Sequence, residues 1–227
     1  MIFALALVLG LSACDRGAAA PVVQPTPATG GAPPPRNATP LAVPPPDIPE
    51  PSLPSAAEPP RNLDVSVLHL GRLIVALERT SMREIQTQIG AGVFDEQGDG
   101  GDWRSWLCYT SPHALRVWII SSQTGSGQFA NAFELERDAT AEPSAHCPAL
   151  PAQYLPVVLE PDLHLGTAQR SVETRYGPPQ PDGEWSIYRR IDSSNHDSLH
   201  FDIAHRLSVR YENGVIAALG ARKTTSN

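Results

Sequence analysis

Two stretches of the chain repeat the same order of apolar and polar positions. In the first, Leu70, Leu73, Ile74 and Leu77 fall at the i, i+3, i+4, i+7 spacing of an amphipathic helix, with Asn62 or Asp64 ahead of it as a cap. Ser81-Met-Arg-Glu84 has the form of a capping box, in which a hydroxyl and a carboxylate satisfy the free amides of a helix start. A second short helix is therefore predicted, with Met82, Ile85 and Ile89 on one face. Gly90 ends it, because glycine takes left-handed backbone at a helix C-terminus without a Cβ penalty. In the second stretch Thr167 leads a helix bearing Val172 and Tyr176, stopped at Gly177-Pro178-Pro179. Aligned on Gly90 and Gly177, Thr80 falls on Thr167, Ile85 on Val172 and Ile89 on Tyr176.

Behind each helix comes a polar loop, 95–102 and 180–184, and then a tetrad, Trp106-Leu-Cys-Tyr109 and Trp185-Ser-Ile-Tyr188. Strands are predicted over 115–121 and 128–135 in the first stretch, and over 199–203, 207–211 and 215–219 in the second. Leu207, Val209 and Tyr211 alternate with polar residues, the period of a half-buried strand. Asn213-Gly214 is the commonest signal for a tight hairpin. The expected fold class is α+β: two tandem units of short helices packed on an antiparallel sheet, 62–150 and 151–227. A disordered, Pro-rich tether precedes them.

That tether spans 14–61. Fifteen of the 24 prolines lie between Pro21 and Pro60, and proline fixes φ and removes a backbone donor, so neither helix nor central strand forms. Extended polyproline II, at about 3.1 Å per residue, gives it a reach on the order of 150 Å. The expectation is a spacer without a recognition role.

Ahead of the tether, Ile2 to Leu11 is apolar and Leu11-Ser12-Ala13-Cys14 closes the run. About ten apolar residues suit a secretion signal and fall short of the roughly 20 that cross a bilayer. The run resembles the lipobox of bacterial lipoproteins. The resemblance implies removal of 1–13, lipidation (palmitate among the acyl chains) of Cys14 and a place in the cell envelope facing the periplasm. Asp15 tilts the choice toward the inner membrane. The opening residues lack the basic charge common in such signals, which leaves two readings: a true start upstream of Met1, or a signal without that charge.

Charge narrows the partners. The chain carries −7. Residues 1–61 hold Arg16, Arg36 and Arg61 against Asp15, Asp47, Glu50 and Glu58, net −1, leaving −6 on 62–227. No basic cluster marks a nucleic-acid footprint. The expected partners are a membrane, through lipid on Cys14, and a periplasmic or envelope protein. Cys108 and Cys147 are read as one disulfide of an exported domain, against a reactive thiol or a metal pair.

The chain carries few residues in recognisable catalytic or metal-binding patterns. His196, His200 and His205 cluster, but Leu199, Phe201 and Ile203 give the segment strand period, placing His200 beside Asp202 on a polar face. A metal needs three or four converging ligands, and no metal or cofactor is expected. Nucleophile and phosphate-loop motifs are missing, so no catalytic residue is assigned and an enzyme is the weakest class. Glu84 and Glu173 would serve as general acids only if a cleft raised their pKa values. Asp95, Asp99, Asp102 and Trp103 form the candidate partner-binding set, an acidic Gly-rich loop beside an aromatic of the type favoured at interface hot spots.

Leu165-Gly166-Thr167, Tyr176-Gly-Pro-Pro179, Trp185 to Tyr188 and Tyr211-Glu-Asn-Gly-Val215 together resemble the module of OmlA/SmpA-type outer-membrane lipoproteins, which includes an accessory lipoprotein of β-barrel assembly. The tandem arrangement resembles that of the β-lactamase inhibitory protein. The resemblance implies a non-catalytic protein-binding role in envelope assembly or maintenance, or alternatively inhibition of, or immunity to, a periplasmic enzyme or toxin.

Overall fold

The computed structural model describes residues 42–48, 60, 62–123, 127–196 and 199–226. The apolar leader, Cys14 and Asp15 lie outside the described residues, as does most of the tether. In chain order the elements are β1 Val67–Leu70, β2 Leu73–Ala76, α1 Met82–Ile89, β3 Asp95–Gln97, β4 Arg104–Ser111, β5 Leu115–Ser122 and β6 Ala132–Arg137. They continue with β7 Val157–Leu159, α2 Gln169–Tyr176, β8 Gln180–Asp182, β9 Trp185–His196, β10 Leu199–Glu212 and β11 Val215–Ser226.

The expected α+β class does not hold. Of the described residues 48% are strand and 14% helical, so the fold is mostly β, built on two antiparallel sheets with two eight-residue helices. One cause is the hairpin β1–β2, where a helix was expected over 70–77. Leu70 pairs with Leu73 across Gly71-Arg72. The apolar positions fit both periods, but Leu68, Leu70, Leu73 and Val75 are buried while Ile74 is 57% exposed, which is alternation. Gly71 decides it: its φ is +54°, and a Cβ there would sit 2.3 Å from the Gln153 carbonyl oxygen. Strand length is the other cause. The segments 199–203 and 207–211 form one strand, β10, whose intervening residues 204–206 stay on the ladder to β9 and β11.

Where the signals were local they produced the expected element. Ser81 Oγ accepts from the Glu84 amide at 3.2 Å, Gly90 is left-handed at φ +74°, and Met82, Ile85 and Ile89 are buried. In α2, Val172 and Tyr176 are buried, but the cap is Ala168 with no side-chain bond. Thr167 Oγ1 instead accepts from the His164 amide at 3.2 Å. Asn213 and Gly214 both have positive φ and join β10 to β11.

The large sheet has the order β3-β4-β5-β6-β11-β10-β9-β8, which runs outward in the same way from its centre on both sides. Register makes the two sides correspond. Trp106 pairs with Ile120 and Ile120 with Ala132; Trp185 pairs with Arg210 and Arg210 with Ala218. Two residues further along, Glu134 corresponds to Gly220, and these two are paired across the β6–β11 join. A pseudo-twofold therefore passes through that pair. One face of the sheet, with Leu107, Tyr109, Phe133, Leu207, Val209 and Leu219, shares a single core cluster with α1, α2 and the small sheet β2-β1-β7.

Candidate protein-binding face

The opposite, outer face follows from strand alternation. One row across it is Cys108, Trp118, Glu134, Gly220, Ser208 and Ile187; the neighbouring row is Trp106, Ile120, Ala132, Arg222, Arg206 and Arg189. Aromatic and aliphatic side chains thus lie toward β4 and β5, and three arginines toward β9, β10 and β11. Cys108 is disulfide-bonded to Cys147, which brings Cys147 into one cluster with Trp106 and Trp118. Ser144 Oγ accepts from the Cys147 amide at 3.0 Å and holds that turn.

Residues 42–48 also lie on this face, where only a spacer was expected. The Trp118 indole donates to the Val43 carbonyl oxygen at 3.1 Å. Ala42 and Val43 pack on the Trp106–Trp118 cluster, and Ile48 on Trp185, Ile187 and Ala218. Pro45 is buried. Arg104 Nη2 lies 3.2 Å from Asp47 Oδ1, a largely exposed pair that contributes about 1 kcal/mol at most.

Glu134 sits under this segment, 6% exposed, with Oε2 unpartnered among the described residues. Loss of solvent pushes its carboxyl up to about 8, with a further push from Asp47 and an opposing pull from Arg222, Arg104 and Arg206. The indole nitrogen of Trp106 is likewise buried and unpartnered. Beside the segment a cavity of about 510 Å³ is bordered by Asp47, Ile48, Asp102, Trp103, Arg104 and Glu134.

Of the candidate partner-binding set, Trp103 and Asp102 border this cavity. Asp99 is exposed, and its carbonyl accepts from the Asp102 amide at 3.0 Å in a turn of 3-10 helix. Asp95 pairs with Trp106 and so shares the outer face, but it is 7% exposed and bonded to His146 Nδ1 at 2.6 Å. Glu84 and Glu173 accept from Gln88 and Gln169 within their own helices. His200 lies 3.3 Å from Asp202, and His205 is buried, with burial lowering its pKa. Among the described residues no three potential ligands converge on a metal position.

Sequence reasoning missed Arg104, Trp118, Glu134, Gly220 and the 42–48 segment. Two signals could have found them: a lone acid between Phe133 and Leu135 in an apolar strand, and the change from Pro-Ala-Thr filler to Val43-Pro-Pro-Pro-Asp-Ile48. No family model, curated protein or solved structure matches the chain.

Proposed function

We propose that the chain is a non-catalytic, membrane-anchored binding module of the cell envelope. Lipid on Cys14 tethers it, and the outer face of the eight-stranded sheet receives a protein partner. The observation that carries this is the composition of that face: tryptophans and arginines, the residues most enriched at interface hot spots, gathered on the side of the sheet away from the helices. A role in envelope assembly or maintenance fits a module held at the membrane by a long Pro-rich spacer. Inhibition of a periplasmic enzyme or toxin is the second reading, favoured by the single face that β6–β11 pairing extends across both halves.

The test is capture from detergent-solubilised envelope with the lipidated full chain, set beside a Trp103→Ala/Asp102→Lys variant. The expected result is an envelope protein enriched by the parent and lost with the variant. Equal capture by both, or none by either, overturns the placement. For the second reading the captured protein is an enzyme or toxin whose activity falls when the chain is added.

A further inference from the structure

The 42–48 segment contacts the sheet as a bound peptide contacts a receptor. Its backbone is read by a buried indole, through Trp118 Nε1–H and the Val43 carbonyl. Its carboxylate meets a guanidinium, Asp47 with Arg104. Its aliphatic end enters a notch made by the absence of a side chain: a Cβ on Gly220 would lie 2.3 Å from Ile48 Cδ1. Pro44, Pro45 and Pro46 have no amide hydrogen, so nothing there needs a donor's partner on the sheet, and their fixed φ lowers the entropy of docking an extended chain. Indole donors and aromatic floors are the recurring means by which proline-rich segments are recognised.

We propose that the outer face is a recognition site for extended proline-rich peptides in which a carboxylate directly precedes a branched aliphatic side chain, and that residues 42–48 occupy it in cis. This deepens the protein-binding reading by naming the ligand class, and rests on that reading only for the claim that a partner supplies such a peptide. The cis segment does not complete the site. Among the described residues it leaves the Trp106 indole N–H and Glu134 Oε2 buried without partners, and a cavity of about 510 Å³ beside Asp47. Each buried unpartnered group costs free energy that a better-fitting ligand recovers. A tethered segment acts at an effective concentration on the order of millimolar, so a free peptide meets a strong intramolecular competitor and binds the intact chain weakly.

The test uses the full chain with Cys14→Ser for solubility and a fluorescein-labelled peptide Ala-Val-Pro-Pro-Pro-Asp-Ile-Pro, read by anisotropy. Val43→Asn/Ile48→Asn weakens the cis segment where it packs on the outer-face clusters and leaves the inner core cluster, shared with α1, α2 and the small sheet, untouched. Gly220→Val blocks the notch; beyond Ile48, the nearest atom to the added Cβ is Glu134 Cγ at 3.6 Å. Peptide affinity should rise at least tenfold from the parent to the strap variant and be lost when Gly220→Val is added. Replacing the peptide's Asp by Asn should weaken binding several-fold. Hydrogen exchange of the Trp118 indole, slow in the parent and fast in the strap variant, shows that the face has opened.

Equal affinity for parent and strap variant overturns the proposal. So does absence of binding to a strap variant that keeps its fold and has an exchanging indole, or binding unaffected by Gly220→Val. Concentration-dependent dimers of the parent that disappear in the strap variant would assign the face to a second copy of this chain, and would also overturn it. Peptide binding with no partner captured from the envelope would leave the site intact and remove the partner-protein reading.

Discussion

Glu134→Gln isolates the cost of holding a carboxyl beneath the proline segment. The folded state holds the Glu134 proton up to about pH 8, against an ordinary carboxyl value of 4.5. Because the folded value is raised, the folded chain binds a proton that the unfolded chain has released throughout that window. Stability is greatest below the unfolded value, falls as pH rises through about 8, and is flat above it. At 1.36 kcal/mol per pH unit the whole slope amounts to something on the order of 5 kcal/mol, a large share of a domain's stability. Glutamine keeps the shape and does not titrate. Urea unfolding from pH 5 to 9 should show the parent losing midpoint concentration relative to Glu134→Gln across the window, with the titration of His205 common to both, the two meeting near the acid end and the variant several kcal/mol more stable at pH 9. Parallel curves over that range would refute the reasoning, because then Glu134 ionises with no energetic consequence of its burial.

Three further outcomes follow from anchoring, cross-linking and turn geometry. Cys14→Ser should abolish metabolic labelling with palmitate and release the chain from membranes on fractionation; a variant that still sediments with membranes would place the anchor elsewhere. Breaking the Cys108–Cys147 bond should cost roughly 4 kcal/mol by loop-closure entropy, read as a lowered urea midpoint with reductant, and two freely alkylated thiols in the folded, unreduced protein would remove the basis of that figure. Gly71→Ala should lower the melting temperature by several degrees, since it strains a left-handed turn and drives a methyl into the Gln153 carbonyl; an unchanged melting temperature would show that the β1–β2 turn relaxes freely.

The elements legible in the sequence were those specified by neighbours. The capping box at Ser81, the glycine at 90 and the Asn213-Gly214 turn each act over a few residues, so they read correctly from the chain alone. The β1–β2 hairpin did not, because four apolar residues satisfied two periods and the deciding contact, Gly71 against Gln153, is remote in sequence. The length of β10 was hidden because its middle, 204–206, has no apolar alternation and is held by the ladders on both sides, Ala204 opposite Ile191 and Thr224, and Arg206 opposite Arg189 and Arg222. The outer face was the least legible. Trp118 and Glu134 acquire their meaning from Val43, Asp47 and Gly220, residues far from them along the chain, and a proline-rich run has no hydrophobic period to announce that part of it docks. Half of the acidic-loop candidate borders the cavity, since Asp102 and Trp103 sit where β4 begins, while Asp95, opposite Trp106, is buried by its bond to His146.

The palindromic strand order also settles how the large sheet ends. Every antiparallel sheet that does not close has two borders where unsatisfied amides and carbonyls invite a neighbouring molecule to add a strand. Here the join at the centre consumes the inner border of each half; outside, β3, Asp-Glu-Gln, covers Arg104 to Trp106 of β4, and β8, Gln-Pro-Asp, covers Trp185 to Ile187 of β9, which leaves 188–196 of β9 with no strand on their outer side among the described residues. Both short strands are polar and too short to template a partner, and Pro181 withholds an amide from any strand that approached. By meeting through its long strands, the molecule leaves a short polar cap at each outer corner, and the border of β9 beyond its cap carries Arg189, Arg190, Asp192 and Ser193, charged and polar side chains that discourage an added strand.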